Sequence, residues 1–513
     1  STSQGTDTFN SIEGVIGGSG NDKLTGNTKA NTLIGNSGDD ILDGAGTSTA
    51  LSGEYDYLDG GDGKDSVSYK DFTSAVTINL GLTYGNSSDI HNFDATSVKD
   101  YQNAGAAGNI RILNVENLEG GSANDTIYGN SSDNTLIGRD GSDTFRGGAG
   151  NDAIIGGIVL TTDSNGQILT QTDGYVDSVD YSYLADNKGI VVNMNMVGED
   201  DSILNKGRVE QDGHYNSDIL YGIERIIGSQ YADQITGDID DNVDNTFEGK
   251  AGEDIISGGS GNDSLFGGAD DDTLEGGSGN DSLSGESGND QFKTTSYDDG
   301  DDTYDGEKDG STTDSGTDTV DYSAITSATY HLEVNLTDGS AEIKDSSTTH
   351  QTDTLANIEN IIGTNGADTF VGDSENNSFD GRSSNDTISY SNVTGSTAIT
   401  IDLKNDTATG DGTDTLTNIE NAIGGAGDDI VKVSTDVELN VLDGGSSGTD
   451  TVSYEYYSTA VIRDLSNQTT AQGGSDILTN GDILKNFENI IGGSSNDSFK
   501  GNSSNNILNG GSA

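Results

Sequence analysis

Glycine, acidic and apolar positions recur along this chain with a period of nine residues. The pattern is clearest over residues 249–293, where five blocks follow one another without a gap: GKAGEDIIS, GGSGNDSLF, GGADDDTLE, GGSGNDSLS and GESGNDQFK. Each block opens with Gly, carries Asp at its sixth position and has one apolar residue at its eighth. Self-similarity at a fixed short period is typical of a solenoid, in which each repeat contacts only its neighbours.

Each block divides into a turn and a short strand. Glycines at positions one, two and four suit a turn with left-handed or very close backbone, where a Cβ atom would clash. The last three residues place one apolar side chain between small or polar ones, which predicts a short strand with one face inward. Two blocks then make one coil, so turns on one edge are 18 residues apart. This spacing aligns Asp254, Asp272 and Asp290 on one edge. It aligns Asp263 and Asp281 on the other.

Stacked carboxylates of this kind repel each other unless a cation lies between them. Ca²⁺ takes roughly six to eight oxygen ligands from carboxylates and backbone carbonyls, and glycine turns expose their carbonyls. We therefore expect Ca²⁺ ions between successive turns. A flexible acidic Gly/Ser/Asp linker is the alternative, but the strict position of the apolar residue argues against it. One buried Leu or Ile per block contributes less free energy than ordering nine residues costs, so we expect folding to depend on calcium.

A second, longer period lies over the short one. A Tyr-centred pattern followed by a Val-x-Ile/Val-x-Leu strand recurs at Tyr69, Tyr181, Tyr322, Tyr390 and Tyr454. An Ile-Glu-Asn-like pattern that leads into a Gly turn recurs at Glu13, Glu116, Glu224, Glu359, Glu420 and Glu488. These landmarks predict six repeat units: 1–100, 101–212, 213–344 (with the uninterrupted run 249–293), 345–405, 406–475 and a partial unit 476–513. Strand-type alternation without helical periodicity predicts an all-β fold, a parallel β-roll or β-helix solenoid of nonapeptide repeats with loop insertions.

The sixth-position aspartates outside the long run are further candidate calcium ligands: Asp22, Asp40, Asp65, Asp125, Asp143, Asp152, Asp233, Asp368, Asp386, Asp429, Asp450 and Asp497. Four blocks carry Asn there instead: Asn31, Asn134, Asn377 and Asn506. An amide offers a carbonyl oxygen but no charge, so we expect calcium at these blocks to be weaker or missing. In the long run, Asp270 replaces the fourth-position Gly, which brings the backbone conformation of that turn into question.

The units differ mainly in insertions, which solenoids tend to place on one face: 45–57, 84–109, 158–175, 198–216 and 294–316. Aromatic residues in these segments are candidates either for partner contact or for covering the side of the solenoid: Tyr55, Tyr57, Phe93 and Tyr101.

The composition of the chain limits the kinds of partner that it could bind. The chain has 513 residues, a net charge of −66 and a pI near 4.1. That charge argues against nucleic acid and anionic membrane surfaces as partners, and it favours cations. No apolar run reaches membrane-spanning length. Cys is absent, yet an acidic, calcium-dependent chain fits the outside of a cell. Gly510 and Gly511 open a repeat that is not completed, so we expect a piece of a longer array.

The two patterns together resemble the haemolysin-type (RTX) calcium-binding repeat proteins, and more specifically the long secreted bacterial surface-layer and adhesin-like members. The resemblance covers essentially the whole chain. It implies a parallel β-roll, export as an unfolded chain by type I secretion, and folding on extracellular calcium. It also implies that each ion lies between turns, held by the sixth-position Asp and by turn carbonyls such as those of Gly258, Ser260, Gly276 and Ser278. The C-terminal secretion signal of the family is not visible.

RTX repeats accompany enzymes, toxins, adhesins and surface-layer proteins, so the repeat alone does not name a function. Repeats fill this chain, which favours a secreted structural protein of the bacterial cell surface, either S-layer-like or an adhesin scaffold. Its partners would be calcium ions, with self-association or cell-surface polysaccharide as further possibilities. The alternatives are a non-catalytic RTX portion of a secreted enzyme or toxin, and a glycan-binding adhesin segment. We predict no active site, because the four histidines are scattered and neither an HExxH motif nor a Cys nucleophile is present.

Overall fold

The computed structural model describes residues 6–44, 56–80, 110–162, 168–172, 174–184, 188–194, 206–211, 217–239, 242–307, 316–435, 439–467 and 481–512. Within these ranges the chain is all β, and no helix there is long and apolar enough to cross a membrane. The chain forms two compact units, residues 1–260 and 261–513. The predicted division into six repeat units is a division of the sequence and stays a prediction.

Most strands are three residues long, as expected for the last third of a nonapeptide. The strands of the first unit are β1 Gly14–Ile16, β2 Lys23–Thr25, β3 Thr32–Ser37, β4 Ile41–Asp43, β5 Asp56–Asp62, β6 Ser66–Ser68, β7 Thr77–Asn79, β8 Ile110–Leu113, β9 Asn117–Glu119, β10 Thr126–Tyr128, β11 Thr135–Ile137, β12 Thr144–Arg146, β13 Ala153–Ile155, β14 Ile158–Thr162, β15 Ile168–Thr172, β16 Ser178–Asp180, β17 Val191–Asn193, β18 Lys206–Gln211, β19 Asp218–Tyr221, β20 Arg225–Ile227, β21 Gln234–Thr236, β22 Thr246–Glu248 and β23 Ile255–Ser260. Those of the second unit are β24 Ser264–Ala269, β25 Thr273–Ser278, β26 Ser282–Ser287, β27 Gln291–Lys293, β28 Thr303–Glu307, β29 Thr319–Asp321, β30 His331–Asn335, β31 Ser340–Lys344, β32 Thr349–Ala356, β33 Asn360–Ile362, β34 Thr369–Val371, β35 Ser378–Asp380, β36 Thr387–Ser389, β37 Thr400–Asp402, β38 Thr407–Thr409, β39 Thr413–Thr417, β40 Asn421–Ile423, β41 Ile430–Lys432, β42 Val441–Asp443, β43 Thr451–Ser453, β44 Ile462–Asp464, β45 Ile483–Lys485, β46 Asn489–Ile491, β47 Ser498–Lys500 and β48 Leu508–Asn509.

Strands two blocks apart pair in parallel, which confirms the predicted coil. In the second unit, Ser264 of β24 pairs with Ser282 of β26, 18 residues further on. In the first unit, Thr126 of β10 pairs with Thr144 of β12 at the same spacing. Each unit is therefore a parallel β-roll in which the register is set by the repeat length.

The core of each unit is built mainly from rows of apolar side chains, to which most of the short strands contribute one residue each. Leu265, Leu274, Leu283 and Phe292, the eighth-position residues of the long run, are at most 1% exposed. Their neighbours in the strand are half-buried or exposed, as the alternation predicts. The apolar residue thus stacks on its equivalents in the coils before and after it.

The insertions differ in structure. Residues 158–175 contain an antiparallel hairpin of β14 and β15, and β18 lies antiparallel between β17 and β19. The prediction that 294–316 is wholly an insertion is wrong, because β28 pairs in parallel with β26 and β32 and belongs to the stack. The nonapeptide period does not predict this strand, because the turn before it is lengthened: Thr303 follows its partner Ser282 by 21 residues and not by 18. Tyr57 lies in β5, whereas Tyr55, Phe93 and Tyr101 lie outside the described residues.

The Tyr landmark marks a buried tyrosine whose hydroxyl group donates to a buried aspartate. Tyr322 Oη lies 2.8 Å from Asp353 Oδ2, and both residues are at most 1% exposed. Burial raises the pKa of Asp353 to about 7. The same pair recurs as Tyr181 with Asp218, Tyr390 with Asp414, and Tyr454 with Asp482.

The first unit departs from this arrangement at one position. Each of these aspartates lies seven residues before the last residue of the Ile-Glu-Asn landmark, and the equivalent residue before Asn117 is Ile110. Tyr69 is buried, and its hydroxyl has no hydrogen-bond partner among the described residues. Tyr69 is therefore a buried landmark tyrosine whose hydroxyl group has no aspartate acceptor among the described residues.

This difference supplies a matched pair of variants. Tyr322→Phe leaves Asp353 Oδ2 without its phenol donor, so it should lower the free energy of unfolding of the second unit by about 1.5–3 kcal/mol. Tyr69→Phe removes a hydroxyl that makes no hydrogen bond among the described residues, so the stability of the first unit should be unchanged or higher. Denaturant unfolding of the two variants and the parent chain measures both effects. Equal losses in the two variants would contradict the assigned hydrogen bond.

Candidate calcium-binding turns

A ladder of hydrogen bonds through the sixth-position aspartates joins the coils. The backbone N–H of Asp263 donates to Oδ1 of Asp281 at 2.7 Å, and that of Asp272 donates to Asp290 at 2.7 Å. The predicted alignment of these four residues is thereby confirmed within the second unit. In the first unit, the N–H of Asp233 donates to Asp254 in the same way. The other aspartate pairs of the ladder are 22 with 40, 40 with 65, 125 with 143, 368 with 386, and 429 with 450.

Other acidic residues continue this ladder where insertions change the spacing, and the sequence analysis missed them. Buried aspartates accept the same N–H bond after a lengthened turn or a hairpin: Asp177, Asp218, Asp302, Asp318 and Asp353. The landmark glutamates accept it through Oε2: Glu116, Glu224, Glu359, Glu420 and Glu488. An Asp directly before a short Ser/Thr-plus-apolar strand, as in Asp177-Ser-Val and Asp318-Thr-Val, was the available signal. These aspartates lie off the nine-residue spacing of the blocks before them.

The turns themselves fall into two conformations. Among the described residues, ten turns have positive φ at positions two and four, as at Gly277 (107°) and Gly279 (129°). We call these the left-handed turns. Their sixth-position residues are Asp40, Asp65, Asp143, Asp152, Asp254, Asp263, Asp272, Asp281, Asp290 and Asp386. Asp270, at position four of one of them, has φ of 80°, so its turn keeps the conformation without glycine.

The carboxylate of a left-handed turn lies against the first glycine of its own block. A Cβ atom on Gly285 would lie 2.1 Å from Oδ2 of Asp290, so a side chain at position one would displace the carboxylate. Successive turns are equally close, because a Cβ atom on Gly279 would lie 1.8 Å from the carbonyl oxygen of Gly261. Position one is therefore glycine because of a close contact, whereas positions two and four adopt left-handed backbone.

In three left-handed turns, one carboxylate oxygen of the sixth-position aspartate has no hydrogen-bond donor among the described residues. Oδ2 of Asp40, of Asp65 and of Asp386 is buried and has no hydrogen-bond partner among the described residues. Burial, together with repulsion from Asp368 and Glu420, raises the pKa of Asp386 to about 8. A buried carboxylate oxygen without a donor is costly. A hard cation next to it would remove that cost, so these turns fit Ca²⁺ by the chemistry of their oxygens.

The remaining ligands would have to come from backbone carbonyls. In the part of the chain that the structure describes, no three acidic or histidine side chains converge on one point. Of the predicted carbonyl donors, Gly258 O faces the Cα of Gly237, and Ser278 O accepts the N–H of Gly261 at 2.9 Å. The Ser260 hydroxyl donates to Ile239 O, and Gly276 contacts the carboxylate of Asp281. Their coordination of calcium stays a prediction.

Six other turns cap their own aspartate. The N–H of the position-two residue donates to Oδ2, at 2.6 Å from Gly121 to Asp125 and at 2.7 Å from Thr364 to Asp368. We call these the capped turns. Their sixth-position residues are Asp22, Asp125, Asp233, Asp368, Asp429 and Asp497. Calcium ligation by these aspartates also stays a prediction.

The turns with Asn at position six, and the turn before Asp450, differ from both the left-handed and the capped turns. Asn31, Asn134 and Asn377 accept the same position-two N–H through their amide oxygen. The Nδ2 group of Asn134 donates to the carbonyl of Glu116, so this amide is satisfied in both of its roles. The turn before Asp450 is one residue longer, and burial raises the pKa of Asp450 to about 7.

Comparison with known families agrees with this geometry. The model of the RTX calcium-binding nonapeptide repeat matches residues 16–47, 119–154, 218–243, 242–274, 266–293, 361–392 and 487–513. These segments contain left-handed and capped turns alike. No curated protein matches the chain.

The left-handed conformation predicts a stabilising substitution. Asp270→Gly removes the steric cost of an L-residue at φ of 80°, and it should raise the free energy of unfolding of the second unit by about 0.5–1 kcal/mol. Ala269→Gly is the control, because Ala269 lies next to it without positive φ and should lose about 0.5–1 kcal/mol to backbone entropy. Denaturant unfolding with calcium present separates the two. A loss for Asp270→Gly as large as that for Ala269→Gly would refute the steric argument.

Proposed function

Because this chain is an RTX-repeat protein, we propose that it is a secreted, calcium-dependent structural protein of the bacterial cell surface. In this role the β-roll is a scaffold, either S-layer-like or part of an adhesin. The chain would leave the cell unfolded by type I secretion and fold on meeting extracellular Ca²⁺. Its role is structural rather than catalytic.

The observation that carries the calcium dependence is the buried carboxylate of the left-handed turns. Asp40, Asp65 and Asp386 are fully buried, and each has an oxygen atom without a hydrogen-bond donor among the described residues. A cation shared between successive turns would neutralise such carboxylates and draw carbonyl oxygens around it. When bound, Ca²⁺ would supply positive charge between the turns, and the residues of this chain would supply the ligands and the spacing.

The charge and the core of the chain support a location where calcium is plentiful. The net charge of −66 opposes compaction by self-repulsion unless cations offset it. Most of the short strands bury a single apolar side chain, which leaves little hydrophobic free energy in reserve. A chain of this kind would stay unfolded at the low calcium level of a cytosol and fold outside. That behaviour suits export of an unfolded chain.

Chelation tests the dependence directly. Excess EGTA should abolish most of the β-strand circular-dichroism signal of the full chain, because the buried carboxylates then repel without compensation. Re-addition of Ca²⁺ should restore it, whereas Mg²⁺ at equal concentration should restore much less, since Mg²⁺ demands a tighter octahedral ligand set. Full strand content in excess chelator would rule the dependence out.

The cell-surface role is tested on intact cells that produce the protein. Removing calcium should release it into the medium, and restoring calcium should return it to the surface. Electron microscopy of the released material distinguishes ordered sheets, expected of an S-layer, from loss of attachment to a surface, expected of an adhesin. Protein that is secreted freely in calcium and never retained by the cell would contradict a surface scaffold.

A further inference from the structure

The capped turns occupy one recurring place in the chain. Each of the six follows an Ile-Glu-Asn-like landmark directly, at Glu13, Glu116, Glu224, Glu359, Glu420 and Glu488. Where the structure describes the loop that follows the Tyr landmark, the capped turn contacts that loop. The third-position N–H of the turn donates to a carbonyl of that loop, as from Ser122 to Phe72 at 3.0 Å and from Ser494 to Tyr457 at 2.9 Å.

The carboxylate of a capped turn is surrounded by protein donors. Oδ2 of Asp368 accepts the N–H of Thr364 at 2.7 Å. Its Oδ1 accepts the N–H of Leu332 at 2.7 Å and the hydroxyl of Thr364 at 2.8 Å. Asp233 repeats this arrangement with Ser229 and Ile190. A cation at either carboxylate would have to displace donors that are already well placed.

The backbone of these turns differs as well. The first of them, Gly17–Asp22, has the sequence GGSGND, the same six residues as the left-handed turn Gly276–Asp281. Gly277 and Gly279 have positive φ, whereas Gly18 and Gly20 do not. The N–H of Gly18 donates to Oδ2 of Asp22 at 2.6 Å. Identical sequence thus adopts either conformation, and position after the landmark separates the two.

We propose that calcium occupies only the left-handed turns, and that the capped turn of each repeat unit is a metal-free joint in which the aspartate serves as a backbone cap. This proposal rests on the proposed calcium dependence of the chain. It divides the predicted ligands: Asp22, Asp125, Asp233, Asp368, Asp429 and Asp497 bind no ion. The Tyr loop, the landmark glutamate and the cap close the joint by hydrogen bonds alone. Each metal-dependent run is therefore bounded by a joint that calcium does not hold.

Calcium stoichiometry of the full chain tests the division, measured by equilibrium dialysis with metal analysis. Asp281→Asn, in a left-handed turn, should lose at least one ion per chain relative to the parent. Asp22→Asn and Asp368→Asn, in capped turns, should leave the stoichiometry unchanged. Asparagine is the suitable replacement because Asn31, Asn134 and Asn377 already cap their own turns through the amide oxygen.

The outcomes are distinct. Loss of an ion by Asp22→Asn or Asp368→Asn, comparable with the loss by Asp281→Asn, would overturn the metal-free joint while leaving calcium dependence intact. A parent chain that binds no calcium would overturn both the joint and the proposed function. Asp22→Asn guards against a folding defect in Asp368→Asn, because Asp22 is only half-buried and lies near the end of its unit. Circular dichroism of each variant in calcium establishes that it is folded before the ions are counted.

Discussion

The backbone N–H at the sixth position of each nonapeptide needs an acceptor from the next coil, and the structure is organised around this requirement. A carboxylate supplies the acceptor, as Asp281 does for Asp263 and Asp290 does for Asp272. One carboxylate oxygen is then committed to the ladder, and the second lies inside the turn, where burial makes it costly. The glycine at position one follows from this, since the carboxylate fills the space that a side chain would need. The excess negative charge of the chain follows as well, because every coil adds another acid.

The second carboxylate oxygen of a ladder aspartate is bound in one of several ways, and these distinguish the kinds of turn. In a capped turn the position-two N–H takes it, as Thr364 does for Asp368. In the Tyr–Asp pairs a phenol takes it, as Tyr322 does for Asp353, while Oδ1 of Asp353 still accepts the ladder bond from Asp302. In the left-handed turns of Asp40, Asp65 and Asp386, no described donor takes it. The first two solutions use groups fixed in the chain, so the third is the natural place for a metal ion.

Much of this was readable from the sequence, because spacing carries it. The 18-residue coil, the buried eighth-position row at Leu265, Leu274 and Leu283, and the close glycines all follow from a strict period. The acids beyond an insertion did not follow, since the ladder to Asp318 spans 28 residues from Asp290 and so departs from the nine-residue period. Turn conformation was equally hidden. Lys250 and Arg382 adopt left-handed φ without glycine, whereas Gly18 and Gly20 do not adopt it, and the N–H of Gly18 instead donates to Asp22 within the same turn.

In the second unit, an arginine of the chain itself neutralises one of the buried aspartates. Arg463 and Asp482 are at most 3% exposed and lie 2.8 Å apart, and Nε of Arg463 donates to the hydroxyl of Tyr454. Tyr454 donates in turn to the same Asp482 oxygen, so one buried acid has both a phenol and a guanidinium. A guanidinium is permanent and independent of the medium, unlike Ca²⁺, and its five donors satisfy several acceptors at once. Asp482 thus has a cation that belongs to the chain, whereas Oδ2 of Asp40, Asp65 and Asp386 has no described donor, and these are the turns for which we propose a cation from the medium. The proposed calcium dependence of the fold therefore rests on these turns and not on the Tyr–Asp pairs.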